Sequence, residues 1–358
     1  MLTADLGIFQ GVGMYQYAVP VVDKDGKPLM PTTWQRAWRW VASRKATYFW
    51  FWGILCVRLN VEPSSRNLQP VVVGIDPGSK REAFTVKAKH KTFLNLLVHA
   101  VDWVKDRMEA RSNMRRGRRF RKTPCRQPRF NRNRGGLPPS TKARWQLKLR
   151  VAWLLAKIFP ISGFVVEDIK AETKGQRKWD VSFSPLEVGK AWFYEELGKV
   201  APVKLRQGWE TFELRNRLGL KKSKSKLEEK FSTHNVDSWV LAWDGVGGDE
   251  DPDNEALLVL VPLEFHRRQL HVFQFSKGAV RRPYGGTRSM GFKRGSLVRH
   301  PKHGLCYVGG TSNGRLSLHS LLDGTRLCQN AKVGDVEFKA FSSFRFYRKG
   351  GAANSSAA

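Results

Sequence analysis

The sequence predicts an α/β protein with a central sheet, and three stretches carry that prediction. Val71 to Ile75 is a β-branched run with one glycine that stops at Asp76-Pro77-Gly78, which is typical of a buried strand ending in a turn. Gly163 to Asp168 is a second apolar run that ends in carboxylates, and 232–242 has the pattern of a helix start that carries Asp237. A carboxylate at the end of a buried strand is costly unless a cation meets it. We therefore expect a metal site at this sheet edge, with a turn-capping aspartate as the alternative for the first stretch.

The first 62 residues predict a small α+β module. Tyr17 to Val22 alternates as a strand, and Tyr48 to Leu59 predicts a second one. Thr33 is a candidate N-cap for a helix on which Trp34 and Trp38 share one face. We expect these tryptophans to pack in the module core and the arginines between them to face solvent or phosphate.

The middle of the chain continues the α/β pattern. Two strands follow the first one closely, as expected of a meander, and helices then alternate with strands up to the helix that carries Asp237. The predicted elements are Arg81 to Ala88, Lys91 to His99, a helix over Thr141 to Phe159, a helix over Leu186 to Leu197, a strand over Val200 to Leu205 and a short helix over Phe212 to Leu218, followed by a charged connector from Lys221 to Lys230.

The C-terminal part predicts a separate unit. Gly245 to Asn254 is glycine-rich and acidic, which is typical of a linker, and residues 255–347 then alternate short strands with glycine turns. That spacing predicts a small β-barrel with basic rims. The tail, 348–358, is small and polar, and we expect it to be disordered.

One segment between the first two carboxylate strands is dominated by arginine. No acidic residue occurs between Glu109 and Glu167. Guanidinium groups bind phosphates bidentately, and arginine-rich helices commonly hold an RNA backbone. A solvated basic face is the alternative. We predict nucleic-acid binding by Arg111, Arg115, Arg116, Arg118, Arg119, Arg121, Lys122, Arg126, Arg129, Arg132 and Arg134.

Composition agrees with a polyanionic partner. The 358 residues include 63 Lys and Arg against 31 Asp and Glu, a formal net charge of +32, and such a surplus favours binding to nucleic acid. The four cysteines form no C-x-x-C pair, which argues against a zinc ribbon or a disulfide framework and fits a reducing compartment. The longest apolar run, Tyr48 to Val57, is too short to span a bilayer. The N-terminus lacks a basic n-region, so we expect neither a signal peptide nor a membrane partner.

Three carboxylates are the candidate catalytic centre. Asp76, Glu167 and Asp237 each follow or open a predicted element, and three such groups bind two hard divalent ions at a phosphodiester. Because successive side chains of a strand point to opposite faces, Glu167 and Asp168 cannot both enter one site. Spacing alone leaves that choice open, and we select Glu167. His234 lies three residues before Asp237 on the same predicted face and is a candidate to orient or deprotonate water.

The motifs together resemble a known group of nucleases. Gly74-Ile75-Asp76-Pro77-Gly78-Ser79, Val165-Val166-Glu167-Asp168 and His234-x-x-Asp237 look like the three split motifs of a RuvC-like nuclease with the RNase H fold. The arginine-rich segment resembles the bridge helix of RNA-guided nucleases. Pro28-Leu29-Met30-Pro31 matches the motif that names the N-terminal domain of the IscB group. Asp168 to Thr233 contains no histidine, so the HNH nuclease that IscB proteins insert there is missing, and the chain resembles the IsrB family of transposon-associated loci.

The resemblance implies an architecture and an activity. The architecture is a split RNase H-like (RuvC) domain, an inserted bridge helix, an N-terminal α+β module and a C-terminal barrel that reads a target-adjacent motif. The implied boundaries are 1–62, 63–104, 105–140, 141–248 and 255–347. The activity is RNA-guided nicking of the displaced DNA strand by a monomeric protein with a large structured guide RNA, in a prokaryotic cytoplasm. Asp76, Glu167 and Asp237 would hold two Mg²⁺ ions, with Mn²⁺ as a substitute, and His234 would assist. Two alternatives stay open: an unguided RuvC-like junction nuclease and an inactive RNA-binding accessory protein of transposition.

Overall fold

The computed structural model describes residues 18–122, 137–168, 189–264, 288 and 290–350. Its first unit is a four-stranded sheet of order β2-β1-β4-β3 with one helix packed on it. The helix, α1, begins at the predicted cap, where Thr33 Oγ1 accepts a hydrogen bond from the backbone N–H of Arg36. The elements are β1 (Val19–Val22), β2 (Pro28–Thr32), α1 (Trp34–Ala42), β3 (Ala46–Phe51) and β4 (Ile54–Leu59).

This unit differs from the sequence prediction at two places. The single strand expected over Tyr48 to Leu59 is a hairpin, because Trp52 and Gly53 both adopt positive φ (+52° and +85°), as a two-residue hairpin turn requires. The tryptophans of α1 do not all enter the core. Trp34 stacks on Tyr48, whereas 53% of Trp38 is exposed, so the prediction that both are core residues is wrong for Trp38.

A seven-stranded sheet of order β16-β10-β7-β6-β5-β8-β9 is the centre of the molecule. Strand β6 runs antiparallel to both β5 and β7, and β5, β8 and β9 are parallel to one another. A three-stranded meander continued by parallel strands is the RNase H-like arrangement, so the predicted RuvC-like α/β fold is confirmed. The strands are β5 (Val72–Asp76), β6 (Arg81–Ala88), β7 (Lys91–His99), β8 (Gly163–Asp168), β9 (Val203–Gln207), β10 (Leu257–Pro262) and β16 (Phe344–Lys349).

Helices cover both faces of this sheet. On one face α3 packs with α4 through Trp145 and Phe193, and on the other α6 crosses β5 with α5 beside it. The crossing is close at Gly74, where an added Cβ would stand only 1.9 Å from the carbonyl oxygen of Ser238. Only glycine permits that approach. The helices are α2 (Val104–Phe120), α3 (Pro139–Ile158), α4 (Lys190–Gly198), α5 (Gly208–Arg217) and α6 (Val236–Val246).

The C-terminal unit is smaller than the sequence predicts. A five-stranded antiparallel sheet of order β14-β13-β12-β11-β15 occupies 297–340. The two ends of the expected 255–347 unit belong to the central sheet instead, because β10 pairs with β7 and β16 pairs with β10. The strands are β11 (Leu297–His300), β12 (Gly304–Ser312), β13 (Arg315–His319), β14 (Arg326–Ala331) and β15 (Glu337–Ala340).

The acidic stretch before β10 is also part of the folded centre. Asp253 Oδ1 accepts a hydrogen bond from the backbone N–H of Thr92, and the carbonyl oxygen of Asn254 accepts one from the Asn95 side chain. The end of the predicted linker is therefore packed against β7. In the described ranges, no helix is long and apolar enough to cross a bilayer. The predicted disordered tail lies outside the described residues from 351 onwards.

Candidate active site

Two of the candidate carboxylates meet at one edge of the central sheet. The parallel ladder between β5 and β8 ends with Ile75 beside Val166, and Asp76 and Glu167 are the next residues on their strands. Their side chains are within hydrogen-bonding distance of each other. Both groups are largely buried, with 16% of the Asp76 side chain and 8% of Glu167 exposed. The strand register thus places two carboxyl groups together at the carboxyl ends of the strands.

The third carboxylate arrives on α6. Asp237 is in the first turn of that helix and is 4% exposed. The close crossing at Gly74 brings this turn over β5, and Ser238 fixes it there through a 2.8 Å hydrogen bond with Thr85 Oγ1. Asp237 is near enough to Asp76 and Glu167 to influence the pKa of both. The structure therefore brings the three predicted carboxylates together.

Burial and mutual repulsion raise the pKa values of Glu167 and Asp76. Burial raises the pKa of Glu167, and the charges of Asp76 and Asp237 add to it, to about 8. The pKa of Asp76 is also raised, by burial first and by Asp237, with Lys222 opposing the shift. Raised carboxyl pKa values indicate negative charge that the protein alone does not fully compensate. A bound cation would favour the ionised forms of these carboxyl groups.

Lys222 and Arg215 supply part of that compensation, and the sequence did not predict either one. Lys222 Nζ lies 3.6 Å from Asp76 Oδ2 and forms a short ion pair with Asp237 Oδ2. Arg215 on α5 donates to the other oxygen of Asp237. Burial opposes the charge of Lys222, but Asp76 and Asp237 outweigh it and raise the pKa of its ammonium group. Both cations come from stretches expected to be an ordinary helix and a charged connector.

Asp168 lies on the opposite side of the sheet from Glu167. Its carboxylate accepts hydrogen bonds from Lys190 Nζ (2.7 Å), Tyr194 Oη (3.0 Å) and Gln207 Nε2 (3.2 Å). Burial alone would raise the pKa of Asp168, but these bonds lower it. The alternation of the strand thus gives the two neighbours different environments. The catalytic role of Glu167 remains a prediction.

His234 is placed by an irregular turn rather than by a regular helix start. Residues Phe231–Asn235 form a π-turn before α6 begins at Val236, so Thr233 is buried inside the turn and Asn235 is the N-cap of the helix. Such turns are frequent at functional sites. Burial lowers the pKa of His234, and Arg81 and Lys222 lower it further. The ring bonds the backbone of Glu228, and its Nε2 atom is buried without a hydrogen-bond partner among the described residues.

The chemistry of the carboxylates fits divalent metal ions, although their present spacing does not. Among the residues that the structure describes, no group of three or more histidine, cysteine, aspartate or glutamate side chains is close enough to hold a metal. Lys222 instead lies between Asp76 and Asp237 as an internal counter-ion. Buried carboxylate oxygens with raised pKa values are the donors that hard cations such as Mg²⁺ prefer. Asp76, Glu167 and Asp237 are the candidate residues to hold metal, and that role remains a prediction.

The arginine-rich helix presents its basic groups to solvent. No residue of α2 is buried, and the basic side chains from Arg111 to Lys122 are all exposed. A helix that is polar all round is typical of a solvent-exposed connection between domains. In the described part of the predicted 105–140 segment, α2 ends at Phe120 and α3 begins at Pro139. The remaining predicted contacts, Arg126, Arg129, Arg132 and Arg134, lie outside the described residues.

Several solved structures share similarity with this fold. They include RuvC of Thermus thermophilus in complex with a Holliday junction substrate (17% identity, 50% of this chain and 97% of that chain, TM-score 0.27) and the yeast mitochondrial Holliday junction resolvase Ydc2 (13%, 49% and 78%, 0.25). A CRISPR-Cas12f ternary complex also matches (15%, 55% and 43%, 0.26). At these identities and TM-scores the alignments do not bear on substrate or partner.

Sequence comparison finds one family and no curated relative. No curated protein matches the chain. The family model described as RRXRR protein matches residues 19–182, and Arg115-Arg116-Gly117-Arg118-Arg119 reproduces the pattern in that description. Over 19–182 the chain is therefore similar to the RRXRR family.

Proposed function

We propose that this protein is an RNA-guided DNA endonuclease that nicks the displaced strand of its target. The observation that carries the proposal is the convergence of Asp76, Glu167 and Asp237 at one edge of an RNase H-like sheet. The exposed arginines of α2 and the net charge of +32 support a nucleic-acid partner. The protein would act as a monomer in a ribonucleoprotein with a large structured guide RNA.

The three carboxylates and His234 have separate tasks in this proposal. Asp76, Glu167 and Asp237 would hold two Mg²⁺ ions, which stabilise charge on the attacking and leaving oxygens of a phosphodiester. The lowered pKa keeps the imidazole of His234 neutral near pH 7, and its bond to the backbone of Glu228 fixes the ring. The unpartnered Nε2 is then free to accept a proton from an attacking water.

Guide binding is assigned to the arginine segment. Arg111 to Lys122 present guanidinium and ammonium groups that no other part of the described chain covers. Guanidinium forks suit the phosphates of a folded RNA. Residues Arg126 to Arg134 would extend the same contact. In this proposal the carboxylates serve cleavage and the arginines serve RNA binding, so the two activities depend on different residues.

The single-strand outcome follows from the number of nuclease centres. A RuvC-like site threads one DNA strand, and a guide duplex hides the other strand from it. The stretch between Asp168 and Thr233 contains no histidine from which an HNH centre is built. We therefore expect a magnesium-dependent nick in the displaced strand and an intact guide-paired strand.

A plasmid assay tests the proposal. The purified ribonucleoprotein is incubated with a supercoiled plasmid that carries a matched target and its adjacent motif, and each strand is labelled separately. Open circles with label lost only from the displaced strand are expected. Linear plasmid as the main early product would refute the nickase. Cleavage without guide RNA would support the junction-nuclease alternative, and copurified RNA without any metal-dependent cleavage would support the accessory protein.

A further inference from the structure

Helix α5 forms a wall beside the carboxylate site. At its N-terminus, an added Cβ on Gly208 would lie 3.6 Å from Glu167 Oε1. Two turns later, about 10 Å along the axis, Arg215 binds Asp237. The capping box between Gln207 and Glu210 fixes where the helix begins. Both ends of α5 thus lie beside residues of the proposed catalytic centre.

The outer face of this helix carries two large aromatic side chains. Trp209 is 63% exposed and Phe212 is 53% exposed, whereas Thr211 on the inner face is buried. The two aromatic residues are three positions apart, so they are neighbours on one helix face, about 4.5 Å apart along the axis. The Arg215 guanidinium group lies 5.2 Å from the Phe212 ring centre while it binds Asp237. The aromatic face is therefore one residue away from the carboxylates.

The chain that follows these aromatics is strongly basic. Arg215 to Lys226 contains six lysines and arginines and no acidic residue. Single exposed apolar residues are ordinary on protein surfaces. Here two aromatic rings share one helix face, basic side chains follow at one end, and the buried carboxylate site lies beside them. This combination suits the binding of unpaired nucleotides. Bases stack on the rings and phosphates meet the cations.

We propose that Trp209 and Phe212 are a stacking platform for unpaired bases of the DNA strand that enters the carboxylate site. The identity of that strand as DNA rests on the proposed function. A duplex keeps its bases stacked on one another, so the rings select single-stranded segments. The platform holds the strand along α5 and thereby positions a phosphodiester beside Asp76, Glu167 and Asp237.

Binding measurements separate base stacking from phosphate contact. The full chain with Asp76→Asn, which prevents cleavage, is titrated with a fluorescent strand of about 16 thymidines and with an abasic strand that has the same phosphates. Losing one stacked base costs about 5- to 150-fold, so the Trp209→Ala/Phe212→Ala variant is expected to lose at least that much of the preference for the thymidine strand. Its affinity for the abasic strand stays the same. Trp209→Phe and Phe212→Tyr retain the preference.

A matched control and the contrary outcomes complete the test. Trp153 is 47% exposed but lies on α3, on the other face of the sheet, so Trp153→Ala leaves the preference unchanged. An unchanged preference in the double variant, or an equal loss for both strands, would overturn the proposal. A loss confined to a uridine strand would assign the rings to RNA and would overturn it as well. The binding assay measures no cleavage. Its result can therefore be interpreted even if the plasmid assay refutes the nickase.

Discussion

Removing the charge of Lys222 is the sharpest perturbation that the structure offers. Lys222→Met keeps an unbranched apolar stem and deletes the ammonium group that lies between Asp76 and Asp237. The variant leaves three neighbouring carboxylates with Arg215 as their close cation. We expect the metal-free variant to be less stable than the wild type and to recover stability when Mg²⁺ is added.

The distances give the size of the effect. Unit charges 3.6 Å apart, as in the Lys222–Asp76 pair, attract by about 4–5 kcal/mol at an effective dielectric constant of about 20. About a third of the Lys222 side chain is exposed (34%), so solvent screening and the cost of desolvation reduce the net loss to about 1–2 kcal/mol. For a chain of this size the midpoint of thermal unfolding should fall by about 1–3 °C.

Thermal unfolding of the wild type and the variant, in EDTA and in Mg²⁺, measures this change in the midpoint directly. Free metal at about 100 times its dissociation constant stabilises by about 2.7 kcal/mol, so Mg²⁺ should restore the variant to at least the metal-free wild-type midpoint. Lys224→Met is the control, because Lys224 belongs to the same basic stretch and has no ion pair with the three carboxylates. Equal midpoints for Lys222→Met and the wild type in EDTA would refute the counter-ion reasoning, as would a destabilised variant that Mg²⁺ does not rescue.

Three further predictions follow from other parts of the molecule. Glu167→Ala should abolish DNA cleavage and retain RNA binding, and so should Asp76→Ala and Asp237→Ala. If cleavage survives Glu167→Ala but disappears in Asp168→Ala, then Asp168 and not Glu167 is the catalytic carboxylate. Replacing Arg115, Arg116, Arg118 and Arg119 by alanine should weaken RNA binding and flatten its salt dependence, since each phosphate contact contributes about 0.7–0.9 to the log–log slope, and a wild-type slope would contradict the assignment. Burial would raise the pKa of Glu229, but Lys349, Tyr347 and His99 outweigh it and lower the pKa to about 2. About 1–2 kcal/mol of the free energy of unfolding, present above the unfolded pKa of about 4.5, should therefore disappear as the pH falls toward 2. Glu229→Gln should remove that pH dependence in denaturant titrations.

The local patterns of the sequence predict most of the central fold. The run from Val71 into Asp76 and the run from Gly163 into Asp168 are both strands, because β-branched residues bounded by turn signals have few alternatives. The strand alternation correctly separates Glu167 from Asp168. The hairpin inside Tyr48 to Leu59 is hidden because a Trp-Gly turn in an apolar run is a weak turn signal. Trp52 adopts a backbone conformation that non-glycine residues rarely adopt.

Long-range pairing is what the sequence does not predict. Strand β10 is one of several short strands in the C-terminal region of the sequence, yet it pairs in parallel with β7, about 160 residues earlier. The cations that bind the carboxylates are equally hard to identify from the sequence. Lys222 and Arg215 are two of 63 basic residues, and only the folded α5 and the stretch after it show that they face the carboxylates. A buried acidic triad requires cations, but the sequence does not say which ones.

The charge balance of the site also indicates when metal would enter. Three carboxylates face two cations, Arg215 and Lys222, so even with Glu167 ionised the protein alone provides only one surplus negative charge. Two divalent cations are too much positive charge for that environment unless Lys222 withdraws or a phosphodiester adds its own negative charge. We therefore expect Mg²⁺ to bind more tightly when the DNA strand is present, with the reciprocal effect on DNA affinity that linkage demands. Calorimetric titration of Mg²⁺ with and without a single-stranded DNA that has a non-hydrolysable phosphate at the cut position measures this coupling. Equal Mg²⁺ affinity in the two titrations would show that Lys222 already yields its place to metal without help from the substrate.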